Sequence, residues 1–197
     1  VTLLPGHSQL SLDALLEIAE RFAAQPGLEL VYTDEDRMNE AGIRSNPEFK
    51  PDWSPTLALS GLFPGQLSMI RRDSASQLGG FREVYSSILW QELLLRLSDQ
   101  LTSNRVAHVS QICHHACAGI PSDLDLAHPA YEQARKALDE TVRRRGWEAA
   151  AFLPEVGHTK RQCFHQLRWD RSLLARLNVT IVIPTRDRLN LLQECIE

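Results

Sequence analysis

Short apolar, strand-like runs alternate along this chain with segments that carry apolar residues at helical spacing, and this alternation constrains the fold most. The helical spacing predicts helices over 12–25, 73–78, 88–101 and 131–145. Strand signals fall between them, and the predicted strands are 28–32, 66–71, 105–112, 150–153 and 163–169. Because strands that alternate with helices are typical of α/β proteins, the sequence predicts that class.

Charge and composition exclude several classes of protein. The 197 residues carry a formal net charge of -4, which gives no broad electrostatic basis for binding nucleic acid. No apolar run reaches the roughly 18 residues that a membrane-spanning helix needs. The four cysteines do not have the spacing of a disulfide framework. We therefore expect a cytoplasmic protein without a transmembrane segment.

Both ends of the sequence interrupt a pattern. The chain opens on the apolar run Val1 to Leu4 without an initiator methionine. It closes on Cys195 to Glu197, inside an amphipathic run that has no helix stop signal. We therefore expect this chain to be a piece of a longer protein.

Three consecutive acidic residues, Asp34, Glu35 and Asp36, follow the predicted strand at 28–32. Carboxylates in such a place could ligate Mg²⁺, or they could cap the following loop through hydrogen bonds. The next segment, 37–64, is rich in Pro, Gly, Asn and Ser, which predicts a long ordered loop. Trp53 in this loop could stack its ring face on a ligand with apolar C–H patches or could plug the core beneath the loop.

Six short segments stand out together: Tyr32 to Asp36, Phe49 to Pro55, Ile70 to Arg72, Gly79 to Glu83, Leu93 to Leu97 and Val179 to Arg188. In this order and at this spacing they resemble the family 2 glycosyltransferases of GT-A fold. The resemblance is to the tandem-domain enzymes of bacterial surface polysaccharide and O-antigen biosynthesis in particular. It covers nearly the whole chain.

The resemblance implies a fold and a domain division. Residues 1–170 would be the acceptor-side part of a degenerate GT-A domain, with a mixed sheet flanked by helices. Residues 171–197 would be a linker and the first strand and helix of a second GT-A domain. In that second domain Thr185 and Asp187 would contact the nucleotide.

The resemblance also implies a reaction, the transfer of a sugar from a nucleotide-sugar donor to a glycan acceptor. In the family, Mg²⁺ or Mn²⁺ neutralises the leaving diphosphate and a carboxylate acts as general base. The family's metal motif falls here on Pro5 to His7, and its base position holds Trp90. Glu92 is the remaining candidate for the base, and His115 is the remaining candidate for a metal ligand. We therefore expect this segment to bind no divalent cation and to be inactive.

Acceptor binding is the role that the resemblance leaves to this segment. The turn of Gly79 to Glu83 faces the acceptor in the family, and the acidic stretch lies beside the acceptor cleft. Position by position, the candidate acceptor-binding residues are Asp34, Glu35, Asp36, Trp53, Gly80, Phe81, Arg82 and Glu83.

Two further patterns have alternative interpretations. Cys113, His114, His115 and Cys117 could form part of a zinc site, or they could lie at a strand end with partly buried cysteines. The β-branched run Val179 to Ile183 predicts a strand, which must find a sheet edge to pair its backbone. That edge could belong to this chain or to a second copy, which would give a homodimer.

Three functions are compatible with the sequence. The first is an inactive transferase-like module of a polysaccharide-synthesis protein. The second is a working transferase fragment in which Glu92 or Asp36 replaces the base. The third is a scaffold or acceptor-binding module that uses the surface around 37–64 and assembles with an active transferase domain. In each case we expect a cytoplasmic location, with peripheral attachment to the inner face of the membrane as an option.

Overall fold

The central feature of the fold is a five-stranded mixed sheet. A computed structural model of the chain describes residues 1–6, 8–59, 63–117, 129–152, 166–175, 178, 180, 182–183 and 192–193. The strand order is β1-β5-β2-β3, and β4 pairs with the first part of β2. β2 and β5 are parallel, whereas the other pairs are antiparallel. The strands are β1 (Ser8–Leu10), β2 (Leu30–Met38), β3 (Arg44–Glu48), β4 (Ser68–Ile70) and β5 (Val106–Cys117).

Helices lie between the strands and after them. They are α1 (Ala14–Ala24), α2 (Pro55–Ala58), α3 (Arg72–Gln77), α4 (Leu89–Ser98), α5 (Pro129–Arg144) and α6 (Arg171–Leu174), with 3-10 turns at Glu83–Tyr85 and Ser103–Arg105. A separate two-stranded sheet pairs β6 (Ala149–Phe152) with β7 (Gln166–Trp169). Within the described ranges, no helix is both long and apolar enough to cross a membrane.

Strand β2 is buried on both faces because helices cover both sides of the sheet. Successive side chains of a strand point to opposite faces. Val31 packs with Ile18 of α1 and Val109 of β5, whereas Tyr32 packs on the other face with Leu93 and its neighbours in α4. A strand buried on both faces reads as a continuous apolar run, which is how Leu30 to Tyr32, the start of β2, reads in the sequence.

A third cluster joins α5 to the rest of the molecule. Ala137 and Leu138 of α5 pack against Tyr85, Leu95 and Ala151. This contact places α5 and β6 beside α4, so that α4 is buried along most of its length. The α/β class and the mixed sheet flanked by helices are therefore confirmed, as are the predicted helices at α1, α3, α4 and α5.

The prediction of one long loop over 37–64 is wrong. β2 continues to Met38, and β3 returns beside it as an exposed edge strand. The turn between them is organised by Asn39, whose side-chain oxygen accepts hydrogen bonds from the backbone of Ala41 and Ile43. Polar composition and Pro47 hide β3 in the sequence, because an edge strand needs neither an apolar pattern nor every backbone donor.

The predicted strand over Val179 to Ile183 is not found in the residues that the structure describes. Asn178, Thr180, Val182 and Ile183 have no regular structure, and Val182 is 84% exposed. Val179 and Ile181 lie outside the described residues. The first helix of the second domain was expected after this run. Residues 192 and 193 are helical there, and 184–191 and 194–197 lie outside the described residues. The domain division at 170–171 stays a prediction.

Candidate functional site

Each of the three acidic residues of β2 lies close to a histidine of β5. His108 Nε2 lies 2.8 Å from Asp34 Oδ1, His114 Nδ1 lies 3.4 Å from Glu35 Oε2, and His115 Nδ1 lies 2.6 Å from Asp36 Oδ1. We call these three pairs the acid–histidine seam. Between Thr33 and Glu35 the register of the parallel pair shifts twice, which sets Glu35 opposite His114 and Asp36 opposite His115. Such bulges re-aim side chains within a sheet.

Asp36 and Asp34, at the two ends of the seam, each have two polar partners. Asp36 is 4% exposed, and its Oδ2 accepts a hydrogen bond of 2.6 Å from Arg44 Nε of β3. Asp34 is 2% exposed, and its Oδ1 accepts a hydrogen bond from the backbone of Lys50 at 2.8 Å. Because buried carboxylates are stable only when they are paired, these contacts explain how both can lie inside a strand.

Glu35 lies at the middle of the seam and holds the loop that enters β4. Lys50 Nζ donates to its Oε1 at 2.8 Å, and the backbone of Gln66 donates to its Oε2 at 3.0 Å. Burial by itself raises the pKa of Glu35. His114 and Lys50 outweigh that effect, so the pKa is lowered from 4.5 to about 2. His114 Nδ1 lies within ion-pair distance of Glu35, at 3.4 Å, but neither buried ring nitrogen of His114 makes a hydrogen bond of good geometry within the described part of the chain.

A divalent cation finds no suitable ligand set in the described residues. Mg²⁺ and Mn²⁺ need several oxygen ligands with free lone pairs. The seam carboxylates already accept from histidine, lysine, arginine and backbone groups. Among the residues that the structure describes, no three His, Cys, Asp or Glu side chains are grouped so that they could hold a metal ion. His115, the candidate ligand, uses Nδ1 for Asp36.

A cluster of aromatic side chains lies beside the seam. The ring of Tyr32 stacks on His108 at 4.7 Å, and Phe63 meets Tyr32 edge-on at 5.2 Å. Trp53 packs on Phe63 at 5.5 Å and contacts the core from its edge. Its side chain is half-buried, and its buried indole Nε1 has no hydrogen-bond partner among the residues that the structure describes. The contact with Phe63 thus supports the core-packing interpretation of Trp53, and a role of Trp53 in acceptor binding stays a prediction.

The glycine turn presents Phe81 beside Trp90. Gly79 and Gly80 have φ angles of 81° and 68°, in the left-handed region that favours glycine. Phe81 follows them with 45% of its surface exposed, and its ring centroid lies 6.3 Å from that of Trp90. Trp90, in the position where the family has its base, is 9% exposed and donates from Nε1 to Ser68 Oγ at 2.8 Å. An indole there offers no carboxylate to a substrate hydroxyl.

Glu92, the candidate base, is 1% exposed and lies between two guanidinium groups. Arg96 donates to both of its oxygens, from Nε at 2.7 Å and from Nη2 at 2.6 Å. Arg82 Nη2 lies 2.8 Å from Oε1. A substrate hydroxyl would have to displace these contacts to reach the carboxylate.

Other candidate residues are spread over the chain. Glu83 is an exposed residue that opens the 3-10 turn after Arg82. In the Cys113–Cys117 segment, Cys113 is buried against α1 and Cys117 is half-buried at the end of β5. His7, Thr185 and Asp187 lie outside the described residues, as do Cys163 and His165.

Sequence reasoning missed the basic residues that complete the site. Arg44, Lys50, His108 and Arg96 each contact a buried carboxylate, and none was predicted to do so. Arg96 carried a readable signal, because it follows Glu92 by four residues on a predicted helix. The partners of the seam carried none, because pairing across a parallel sheet depends on register and on bulges that local patterns do not specify.

Two curated proteins are similar to this chain over its whole length. It is 34% identical to the O-antigen biosynthesis protein RfbC of Myxococcus xanthus and 28% identical to the uncharacterized protein y4gI of Sinorhizobium fredii (strain NBRC 101917 / NGR234). The chain spans 15% of the length of the first protein and 21% of the length of the second. No family model matches the chain.

Proposed function

We propose that this chain is a transferase-like module of a protein of bacterial surface polysaccharide synthesis, and that it binds the glycan acceptor without transferring sugar itself. The similarity to the Myxococcus xanthus O-antigen biosynthesis protein supports the polysaccharide role. The six family 2 segments support the transferase-like origin. The observation that carries the proposal is that every carboxylate of the acid–histidine seam already has a basic partner.

Occupied carboxylates argue against a metal-dependent transfer step in this module. A cation at Asp34 and Asp36 would have to displace His108, His115 and Arg44 from contacts of 2.6 to 2.8 Å. The displaced histidines would then be left buried without a hydrogen-bond partner, which is unfavourable. The seam is therefore better explained as the element that fastens β2 to β5 and to β3.

The surface beside the seam has the chemistry that a glycan needs. Sugar rings present apolar C–H patches that fit against aromatic faces, and hydroxyls that accept hydrogen bonds. Phe81 is an exposed aromatic side chain backed by Trp90. Trp53 has an indole N–H without a partner among the described residues, but this atom is itself buried, so a glycan hydroxyl would reach it only if the Trp53 side chain moved.

Glycan binding can be tested by nuclear magnetic resonance titration. The probes are oligosaccharide repeat units of bacterial O-polysaccharides, and cellohexaose is the control glycan. We expect the indole signals of Trp53 and Trp90 to shift with at least one repeat-unit probe and not with cellohexaose.

A matched pair of variants locates the effect. Phe81→Ala should weaken the binding, whereas Phe49→Ala should not, although Phe49 is 72% exposed and thus the more accessible ring. A panel that shifts neither indole signal, or equal effects of the two variants, would contradict acceptor binding at this surface.

A further inference from the structure

Phe81 lies between two residues that are tied to the same buried carboxylate. On its N-terminal side, the carbonyl of Gly80 accepts a hydrogen bond of 2.7 Å from Arg96 Nη2. Arg96 in turn holds both oxygens of Glu92. On its C-terminal side, Arg82 Nη2 lies 2.8 Å from Glu92 Oε1. Glu92 thus connects to the backbone before Phe81 and to the side chain after it.

The turn before Phe81 needs such an anchor. Gly79 and Gly80 are consecutive left-handed residues, and glycine loses more conformational entropy on ordering than any other residue. Their N–H groups bond to the carbonyls of Ser76 and Ala75 at 2.9 Å. Arg96 adds hydrogen bonds to the carbonyls of Leu78 and Gly80, one on each side of Gly79. The turn is therefore fixed from the helix below it.

Arg82 carries the same network to α5. Its Nη2 donates to Glu140 Oε2 at 2.6 Å, and its guanidinium lies 4.6 Å from the centre of the Tyr85 ring. Tyr85 donates from its hydroxyl to Glu140 Oε1 at 2.6 Å. Contacts on two helices thus hold the segment that carries Phe81.

We infer that Glu92 is a positioning residue, which, through Arg96 and Arg82, holds the exposed ring of Phe81 against the buried ring of Trp90, so that Phe81 is presented to a sugar ring. The inference rests on the proposed glycan-binding role for its purpose, but the positioning itself is a property of the protein alone. It gives Glu92 a role other than that of general base.

The positioning can be measured without any ligand. The readout is the nuclear Overhauser effect between the rings of Phe81 and Trp90, and the effect between Trp53 and Phe63 is an internal reference. Arg96→Lys keeps the positive charge but cannot bridge Glu92 and two carbonyls at once. Glu92→Gln keeps the shape but removes the charge. In both variants we expect the Phe81–Trp90 effect to weaken and the Trp53–Phe63 effect to persist.

Two further variants complete the design. Arg144 lies away from the turn, and its Nε is 2.8 Å from Asp99 Oδ2. Arg144→Lys should therefore leave both effects unchanged. Arg82→Met removes the contacts of Arg82 with Glu92 and Glu140 at a side chain that is 36% exposed. It should also weaken the Phe81–Trp90 effect, and it tests the inference if the buried variants do not fold. A Phe81–Trp90 effect that is unchanged in the folded variants would overturn the inference.

Glycan affinity separates this inference from the proposed function. If a repeat-unit probe binds, Arg96→Lys should weaken the binding about threefold to tenfold, the value of one aromatic contact. Equal affinity of Arg96→Lys and the unaltered protein would contradict the positioning role. If no probe binds the unaltered protein, the proposed function fails, and the ring-to-ring effects still decide whether Glu92 positions Phe81.

Discussion

His115 Nδ1 lies 2.6 Å from Asp36 Oδ1, and both side chains are almost fully buried where β2 and β5 run in parallel. This pair, with its two neighbours in the acid–histidine seam, accounts for a feature that is unusual in a strand. Three successive acidic residues continue β2 for its second half instead of ending it. Side chains of β5 and β3 and the ammonium group of Lys50 pair with them.

The first prediction concerns the stability that Asp36 contributes. Asp36→Asn should lower the free energy of unfolding in urea by about 1–3 kcal/mol, because His115 and Arg44 lose the carboxylate that pairs them. Asp73→Asn is the matched control, since Asp73 lies 4.0 Å from Arg72 with both side chains mostly exposed. Its effect should stay below about 1 kcal/mol. Equal losses for the two variants would show that the seam contributes no more than a surface ion pair.

The second prediction concerns the dependence of stability on pH. The pKa of Glu35 is lowered from 4.5 to about 2 in the folded protein. Between these values the unfolded chain binds the extra proton, so the free energy of unfolding falls as the pH falls. The contribution is fully present above pH 4.5, and the loss through this group amounts to roughly 3 kcal/mol near pH 2.

Glu35→Gln isolates that contribution. The variant should lose less stability than the unaltered protein between about pH 4.5 and pH 2, by roughly one proton in the slope. The measurement is urea unfolding at a series of pH values. Parallel stability curves for the two proteins would mean that the pairing with His114 and Lys50 does not hold the carboxylate ionised.

The third prediction concerns the close approach of backbone to the seam at Gly65. Its φ is +106°, and a Cβ atom there would lie 3.0 Å from Lys50 Cε and 3.3 Å from Glu35 Oε2. Gly42 also has a positive φ, of +77°, but a Cβ there would meet no atom within 4 Å. Gly42→Ala should cost about 1 kcal/mol from backbone strain alone.

Gly65→Ala should cost more, because the new methyl group must push Lys50 away from Glu35. It should also flatten the pH dependence described for Glu35, since the ion pair is disturbed. Thermal or urea unfolding of both variants gives the comparison. Similar losses of stability for Gly65→Ala and Gly42→Ala would show that the loop adapts without disturbing the pair.

Local patterns in the sequence were enough for the elements whose burial is simple. Helix α1 exposes one face, and strand β2 begins as an apolar run, so their periodicities predict them. The chain beyond Tyr32 was harder, because its strand character comes from partners about 74 to 79 residues away in the sequence. Strand β3 was missed for a similar reason, since its conformation depends on pairing with β2 and not on its own residues.

The sequence predicted some of the residues of the candidate site but not the contacts between them. The resemblance pointed to the acidic stretch, the glycine turn and Trp90, which local motifs identify. It could not show that Arg96 and Arg82 converge on Glu92, because that arrangement depends on how the glycine turn folds onto α4. Glu92, which the sequence offers as a candidate base, is thus found as a buried carboxylate that anchors Arg96 and Arg82.

The central claim is that this module binds a glycan without transferring sugar to it, and nucleotide release tests it most directly. The protein is incubated with UDP-sugars and dTDP-sugars, with Mg²⁺ or Mn²⁺ and with the repeat-unit oligosaccharides, and free UDP and dTDP are measured. Because the seam carboxylates are occupied and Trp90 stands in the base position, we expect a rate equal to that of the protein-free blank. Release above the blank, lost in Asp36→Asn or Glu92→Gln, would contradict the account and identify the module as a working transferase.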